Sequence, residues 1–292
     1  MFKNTDFSVF SPRPGENPQL KIKNLPGNTI APIKALKPAA TPADTLSFSS
    51  KPVSKTENPE ELLEKNPILL KIKQDFQKEN IDVRTKEGVK KASDHLISLL
   101  AKHNAYTADH SHEVAGVATQ FAKFMKLSPD DVEEVETAAL LHDIGKIFTP
   151  KSILDNPNNL INVEKQVIDQ HAVQGKELLE KLGLTKNKSF KNLAVLVGDH
   201  HSRISKFSPL SKKKTILELA DVYNALTTKR SYKPALSPQK TIEIMKKIQK
   251  EKNWSPDIFN NFERFVNQKN VNKKTEMHLT KNPFDSTENV FV

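Results

Sequence analysis

Ala138-Ala139-Leu140-Leu141-His142-Asp143-Ile144-Gly145-Lys146 decides how this chain is read. An apolar helix end runs straight into an adjacent imidazole and carboxylate, followed by a glycine and a lysine. An acid and a histidine at a buried helix terminus are costly unless a cation compensates them. Taken alone, the pair also fits a helix cap with a satisfied buried histidine, so the surroundings must separate the two readings.

Upstream, Ser128-Pro129 offers a cap and a first-turn proline, which starts a helix from Pro129 to Leu141. Ser237-Pro238 and Ser255-Pro256 repeat the signal, and helical spacing extends it to roughly 107–126, 163–182, 192–200, 213–226, 238–250 and 256–267. Asn58-Pro59-Glu60-Glu61 predicts the first helix start, and Val89, Ala92, Leu96, Leu99 and Leu100 predict an amphipathic helix near 85–102. No segment alternates as a strand would. The expected class is all-α: a helical bundle over 105–267, a helical lead-in over 58–104, and tails at either end. Residues 1–57 carry eight of the 18 prolines without apolar periodicity, which predicts a disordered tail that either solubilises the chain or docks an unknown protein partner. Residues 268–292 read as a polar tail.

The chain has no cysteine, so disulfides, thiolate metal sites and cysteine nucleophiles are excluded, and any metal must be held by His, Asp or Glu. No apolar run could cross a bilayer and the start lacks a secretion signal, which makes the cytoplasm the expected location. The net charge of +10 is concentrated. Residues 202–233 hold eight Lys/Arg against Glu218 and Asp221, whereas 1–57 hold eight against four. Charge alone would suggest a nucleic-acid or scaffold protein. Lys212 to Lys214, within that stretch, read as a solvated helix start.

The His142-Asp143 pair does not stand alone: His110, His171, His200-His201 and Asp221 all fall in apolar-faced helical segments, which brings five of the nine histidines into one set. Asp221 sits in Ile216-Leu217-Glu218-Leu219-Ala220-Asp221-Val222-Tyr223-Asn224-Ala225-Leu226, where an unpaired acid would be costly. His95, His103, His112 and His278 fit no such spacing.

These residues resemble the HD superfamily of phosphohydrolases, and more closely its HD-GYP branch, which opens cyclic di-GMP. The likeness runs from about Ala105 to Val266. His110-Ser111 with Val114-Ala115, then His142-Asp143-Ile144-Gly145-Lys146, His171 with Gly175, Asp199-His200-His201, and Asp221 to Thr227 with Arg230-Ser231-Tyr232-Lys233 stand in the family's order. The resemblance implies two divalent transition metals, with Asp143 bridging them and His110, His142, His171, His200, His201 and Asp221 completing the set. Tyr106 stands where three-metal relatives place a Glu. A nitrogen and carboxylate set suits iron or manganese, with zinc or nickel possible in vitro. It also implies that a metal-activated hydroxide attacks phosphorus, that Asp143 and Lys146 are catalytic, and that Lys146, Arg230 and Lys233 contact phosphate.

The Gly-Tyr-Pro of the branch is missing, and the 19 residues between His201 and Asp221 form a shorter loop than is usual in the family. The expected partner is a cyclic dinucleotide or another phosphate-bearing small molecule, rather than a membrane or nucleic acid. Three readings follow: an active cyclic-dinucleotide phosphodiesterase, a receptor that binds the messenger with little turnover, and a phosphohydrolase acting on another nucleotide.

Overall fold

The computed structural model describes residues 66–201, 210–229 and 234–279. The Asn58-Pro59 start, the 1–57 tail, Arg203, Lys206, Arg230 and Lys233 therefore lie outside the described residues. Within them the chain has no strand, and the order is α1 (Pro67–Lys78), α2 (Lys86–His103), α3 (Ala105–Phe124), α4 (Pro129–Leu141), a 3-10 turn (Ile144–Phe148), and α5 (Lys151–Leu154). Then come α6 (Asn162–Asp169), α7 (His171–Leu182), α8 (Leu193–Gly198), α9 (Ser211–Thr227), α10 (Pro238–Lys252) and α11 (Pro256–Leu279).

The caps work as their residue types dictate. Ser128 and Ser237 accept hydrogen bonds from the backbone N–H groups of Asp131 and Lys240. Asn66-Pro67 begins α1 in the same manner, with the Asn66 side chain accepting from the Ile68 N–H at 2.9 Å. Two boundaries differ from the periodicity. The segment 163–182 is two helices, because at the break the Ile168 carbonyl is taken by the His171 ring instead of continuing the helical ladder. The last helix runs on to Leu279, past the point where apolar spacing ends, since the lysines, Gln268, Glu276 and Met277 of that stretch have high helix propensity without an apolar stripe.

α3 packs against α2, α4 and α9, α7 against α8 and the 3-10 turn, and α11 against α3, α9 and α10. Phe121 of α3 meets Phe262 edge-on at 4.9 Å between ring centroids, and Phe265 lies 5.5 Å away. Each such fully buried side chain contributes roughly 1.5–3 kcal/mol from area removed from water. α1 adds Leu69, Ile72 and Phe76 to the same core, with the Phe76 ring edge-on to His95 of α2 at 5.7 Å. The core thus clamps the ends of α4, the α6–α7 break and α8 around one small volume.

Candidate metal centre

Helix ends, rather than helix faces, carry most of the candidate site. His110 lies inside α3 and Asp221 inside α9, but His142 follows α4, His171 begins α7, and His200 and His201 follow α8. Sequence spacing placed His142 at a helix end but His171, His200 and His201 within helices; the correction has a physical reason, because a helix end leaves carbonyls unbonded. Three of the terminal imidazoles use one. The Nδ1 atoms of His142, His171 and His200 lie 2.7, 2.5 and 2.5 Å from the carbonyls of Ala139, Ile168 and Val197, each three residues upstream. A carbonyl only accepts, so Nδ1 carries the proton and Nε2 turns a lone pair inward.

The inward atoms converge. His171, His200 and His201 offer nitrogens within 4.8 Å of one another, and His110, His142 and Asp143 form a second such group. Asp143 stands between the groups: its Oδ1 is 3.2 Å from His171 Nε2 and its Oδ2 3.4 Å from His142 Nε2. Asp221 joins through Oδ1, 3.2 Å from His110 Nε2. All seven sequence-derived ligand candidates therefore meet in one place. His142, Asp143, His171 and His200 are buried, His110 and Asp221 half-buried, and His201 is exposed at the mouth.

Two lone-pair nitrogens, His171 Nε2 and His200 Nε2, face each other at 3.3 Å. Burial drives the same rings toward neutrality: His171 falls to about 4, and His200 lies well below the ordinary imidazole range, with His201 and His171 adding to its burial. His201, enclosed along one side and beside His171, also falls to about 4. Burial opposes ionisation of Asp143, yet Lys146 and His142 hold it well below the usual carboxylate range. Asp221 is held low in the same way by its hydrogen bond to His110 and by His142. His142, pushed down by burial, is held above its ordinary value by Asp143 and Asp221. The neutral rings of His171, His200 and His201 and the ionised carboxylates of Asp143 and Asp221 are a donor set that fits divalent transition metals.

Lys146 is half-buried in the 3-10 turn and donates to Asp143 Oδ2 at 2.7 Å. Gly145 makes the turn possible, because a Cβ there would lie 1.9 Å from the His171 carbonyl oxygen and 2.7 Å from Gly175 N. Lys213 and Lys214 overturn the expectation of a solvated helix start. Lys213 pairs with Asp131 and Glu134, and Lys214, 4% exposed, pairs with Glu218 at 2.5 Å. Buried carboxylates draw these cations inward; only Lys212 of the three is exposed. Sequence reasoning also passed over Asn224, which is buried and lies 2.7 Å from His110 Nδ1. The available signal was a polar residue three positions after Asp221 on the same apolar helix.

Residues 94–258 match the HD domain family model, more than half of the chain, and the chain belongs to that family. HD domains are metal-dependent, in keeping with the two His/Asp groups. Among curated proteins, it is 33% identical to the 3'3'-cGAMP-specific phosphodiesterase 3 of Vibrio cholerae over 48% of this chain and 31% of that one. It is 28% identical to the cyclic di-GMP phosphodiesterase response regulator RpfG of Xanthomonas campestris pv. campestris, over 74% of this chain and 62% of that one. The chain thus spans less than two thirds of either relative. The HD domain of the L. monocytogenes phosphodiesterase PgpH aligns over 63% of this chain and 98% of that chain at 17% identity, with a TM-score of 0.47. Among the described residues no helix is long and apolar enough to cross a membrane.

Proposed function

We propose that this chain is a metal-dependent phosphodiesterase that hydrolyses a phosphodiester bond of a cyclic dinucleotide. The observation that carries the reading is the position of Asp143, with one oxygen toward a histidine of each candidate ligand group. The names of the relatives, which act on 3'3'-cGAMP and cyclic di-GMP, support the substrate class. Residues 105–267 are the proposed catalytic unit, 58–104 the lead-in, and the cytoplasm the proposed location.

The donor set fits two metals, iron or manganese by its nitrogen and carboxylate chemistry. Asp143 would hold both, with His110, His142 and Asp221 on one side and His171, His200 and His201 on the other. When bound, the pair supplies Lewis-acid charge at the phosphoryl oxygens and makes water more acidic. The protein's own part is positional. The backbone carbonyls hold the Nδ1 protons and so aim the Nε2 atoms inward, and the buried walls keep charge interactions strong. Lys146, kept beside Asp143, donates to phosphate oxygens, and Arg230 and Lys233, just beyond α9, supply a second cationic contact.

The shortened loop after His201 favours weak discrimination among purine rings, because a site with few buried donors for a base edge has little with which to reject the wrong one. Cyclic di-GMP, cyclic di-AMP and 3'3'-cGAMP incubated side by side with the manganese-loaded full chain, with products separated by chromatography, test the proposal. Turnover of more than one ring at comparable rates is expected. Binding without products would favour the receptor reading, and cleavage only of non-cyclic nucleotides would point to another phosphohydrolase activity.

A further inference from the structure

His110 is held differently from the histidines at the helix ends. It lies within α3, where the upstream carbonyls are occupied by the helix's own ladder. A side chain from another helix does the task instead: Asn224 Oδ1 of α9 lies 2.7 Å from His110 Nδ1. An amide can present either of its ends, and here the far end settles which. Asn224 Nδ2 donates to Glu113 Oε2 at 2.8 Å, and the Thr228 hydroxyl donates to the same oxygen at 2.9 Å. An ionised carboxylate only accepts, so the amide N–H₂ must face Glu113 and its oxygen must face His110. Nδ1 of His110 then carries a proton, and its Nε2 faces the site, 3.2 Å from Asp221 Oδ1.

We propose that Asn224 is a positioning residue for His110, and that Glu113 fixes the orientation of the Asn224 amide. Its consequence for metal affinity rests on the metal-centre reading above; its geometry does not. Asparagine suits the position because the relay needs an acceptor on one side and a donor on the other. Aspartate would keep the acceptor for His110 but set two carboxylates face to face. A leucine of similar size would remove both. Glu113 is exposed, so its replacement leaves the core untouched, whereas Asn224 is 5% exposed.

The test uses the full chain labelled with nitrogen-15 in its histidines, stripped of metal, at about pH 8, where ordinary imidazoles are neutral. Nitrogen–proton correlation spectra distinguish the two tautomers, and His110→Gln identifies the His110 signals. Wild-type His110 is expected to carry a proton at Nδ1, alone or with a second at Nε2 facing Asp221; a ring protonated at Nε2 only would overturn the proposal outright. Asn224→Leu should lose this preference and bind manganese at one position about 10- to 100-fold more weakly, measured by competition with a chelator. Asn224→Asp should keep the Nδ1–H tautomer, and Glu113→Ala should mix the two while leaving the melting temperature unchanged. A wild-type tautomer and wild-type manganese affinity in Asn224→Leu would overturn the assignment. Should Asn224→Leu fail to fold, Glu113→Ala decides, since an undiminished Nδ1–H population there would overturn it. Failure of the wild type to bind manganese would count against the metal reading, while the tautomer still decides the relay.

Discussion

Between the end of α4 and the start of α7 the backbone is packed so closely that Gly145 has no space for a Cβ, whereas Gly116, on the outer face of α3, has nothing within 4 Å of one. The first region holds the His142 and His171 rings by main-chain contacts, and sequence changes there reach the candidate ligands through the backbone. In the region where α3 faces α9, His110, Asn224 and Asp221 meet through side chains alone. The same kind of candidate ligand is therefore fixed rigidly in one place and by replaceable groups in the other.

Gly145→Ala should have the largest effect. Its methyl group would meet backbone rather than a flexible side chain, so a loss of roughly 3 kcal/mol or more is expected from overpacking, read as a lowered denaturant midpoint, together with reduced metal binding. A near-normal midpoint would mean that the 3-10 turn can move away from α7.

The metal-free protein should also lose stability in acid. His171 and His201 have folded pKa values of about 4, and His200 is lowered as well. The unfolded chain, with imidazoles near 6.5, therefore takes up protons first. Their contribution is complete above about pH 6.5 and is lost as the pH falls from there toward 4. His142 is shifted upward and offsets part of this slope, while Asp143 and Asp221 withdraw their contribution only at still lower pH. Chemical denaturation of the chelated protein between pH 7 and 4 measures the slope; a flat profile would contradict the buried, neutral cluster.

Lys146→Ala and Arg230→Ala test the charges beyond the ligand set. Each should weaken substrate binding or turnover by about 2 kcal/mol, roughly 30-fold, through a lost charge-assisted hydrogen bond, with metal content intact. Metal loss in Arg230→Ala would mean that the residue supports the centre itself. The smallest effect belongs to the loose region: Gly116→Ala should stabilise the protein by up to about 1 kcal/mol, because alanine replaces glycine at an open helical site.

Much of this was legible in the sequence. Ser128-Pro129 and Ser237-Pro238 marked helix starts because capping is local chemistry, and the apolar spacing of Val89 to Leu100 marked α2 because one face must be buried. The seven candidate ligands were legible through residue order and family resemblance. What stayed hidden depends on contacts distant in sequence. The inward turn of Lys213 and Lys214 requires Glu134 and Glu218 to be buried beside them. The Asn224 contact joins residues 114 apart. The break at Gln170 follows from a ring competing for a carbonyl, which apolar periodicity cannot register.

The most direct measurement is elemental analysis of the full chain purified anaerobically, set beside Asp143→Ala prepared identically. About two transition-metal ions per wild-type chain and the loss of at least one from the variant are predicted, because Asp143 presents an oxygen to each candidate ligand group. A metal-free wild type, or a variant that retains the full complement, would contradict the account.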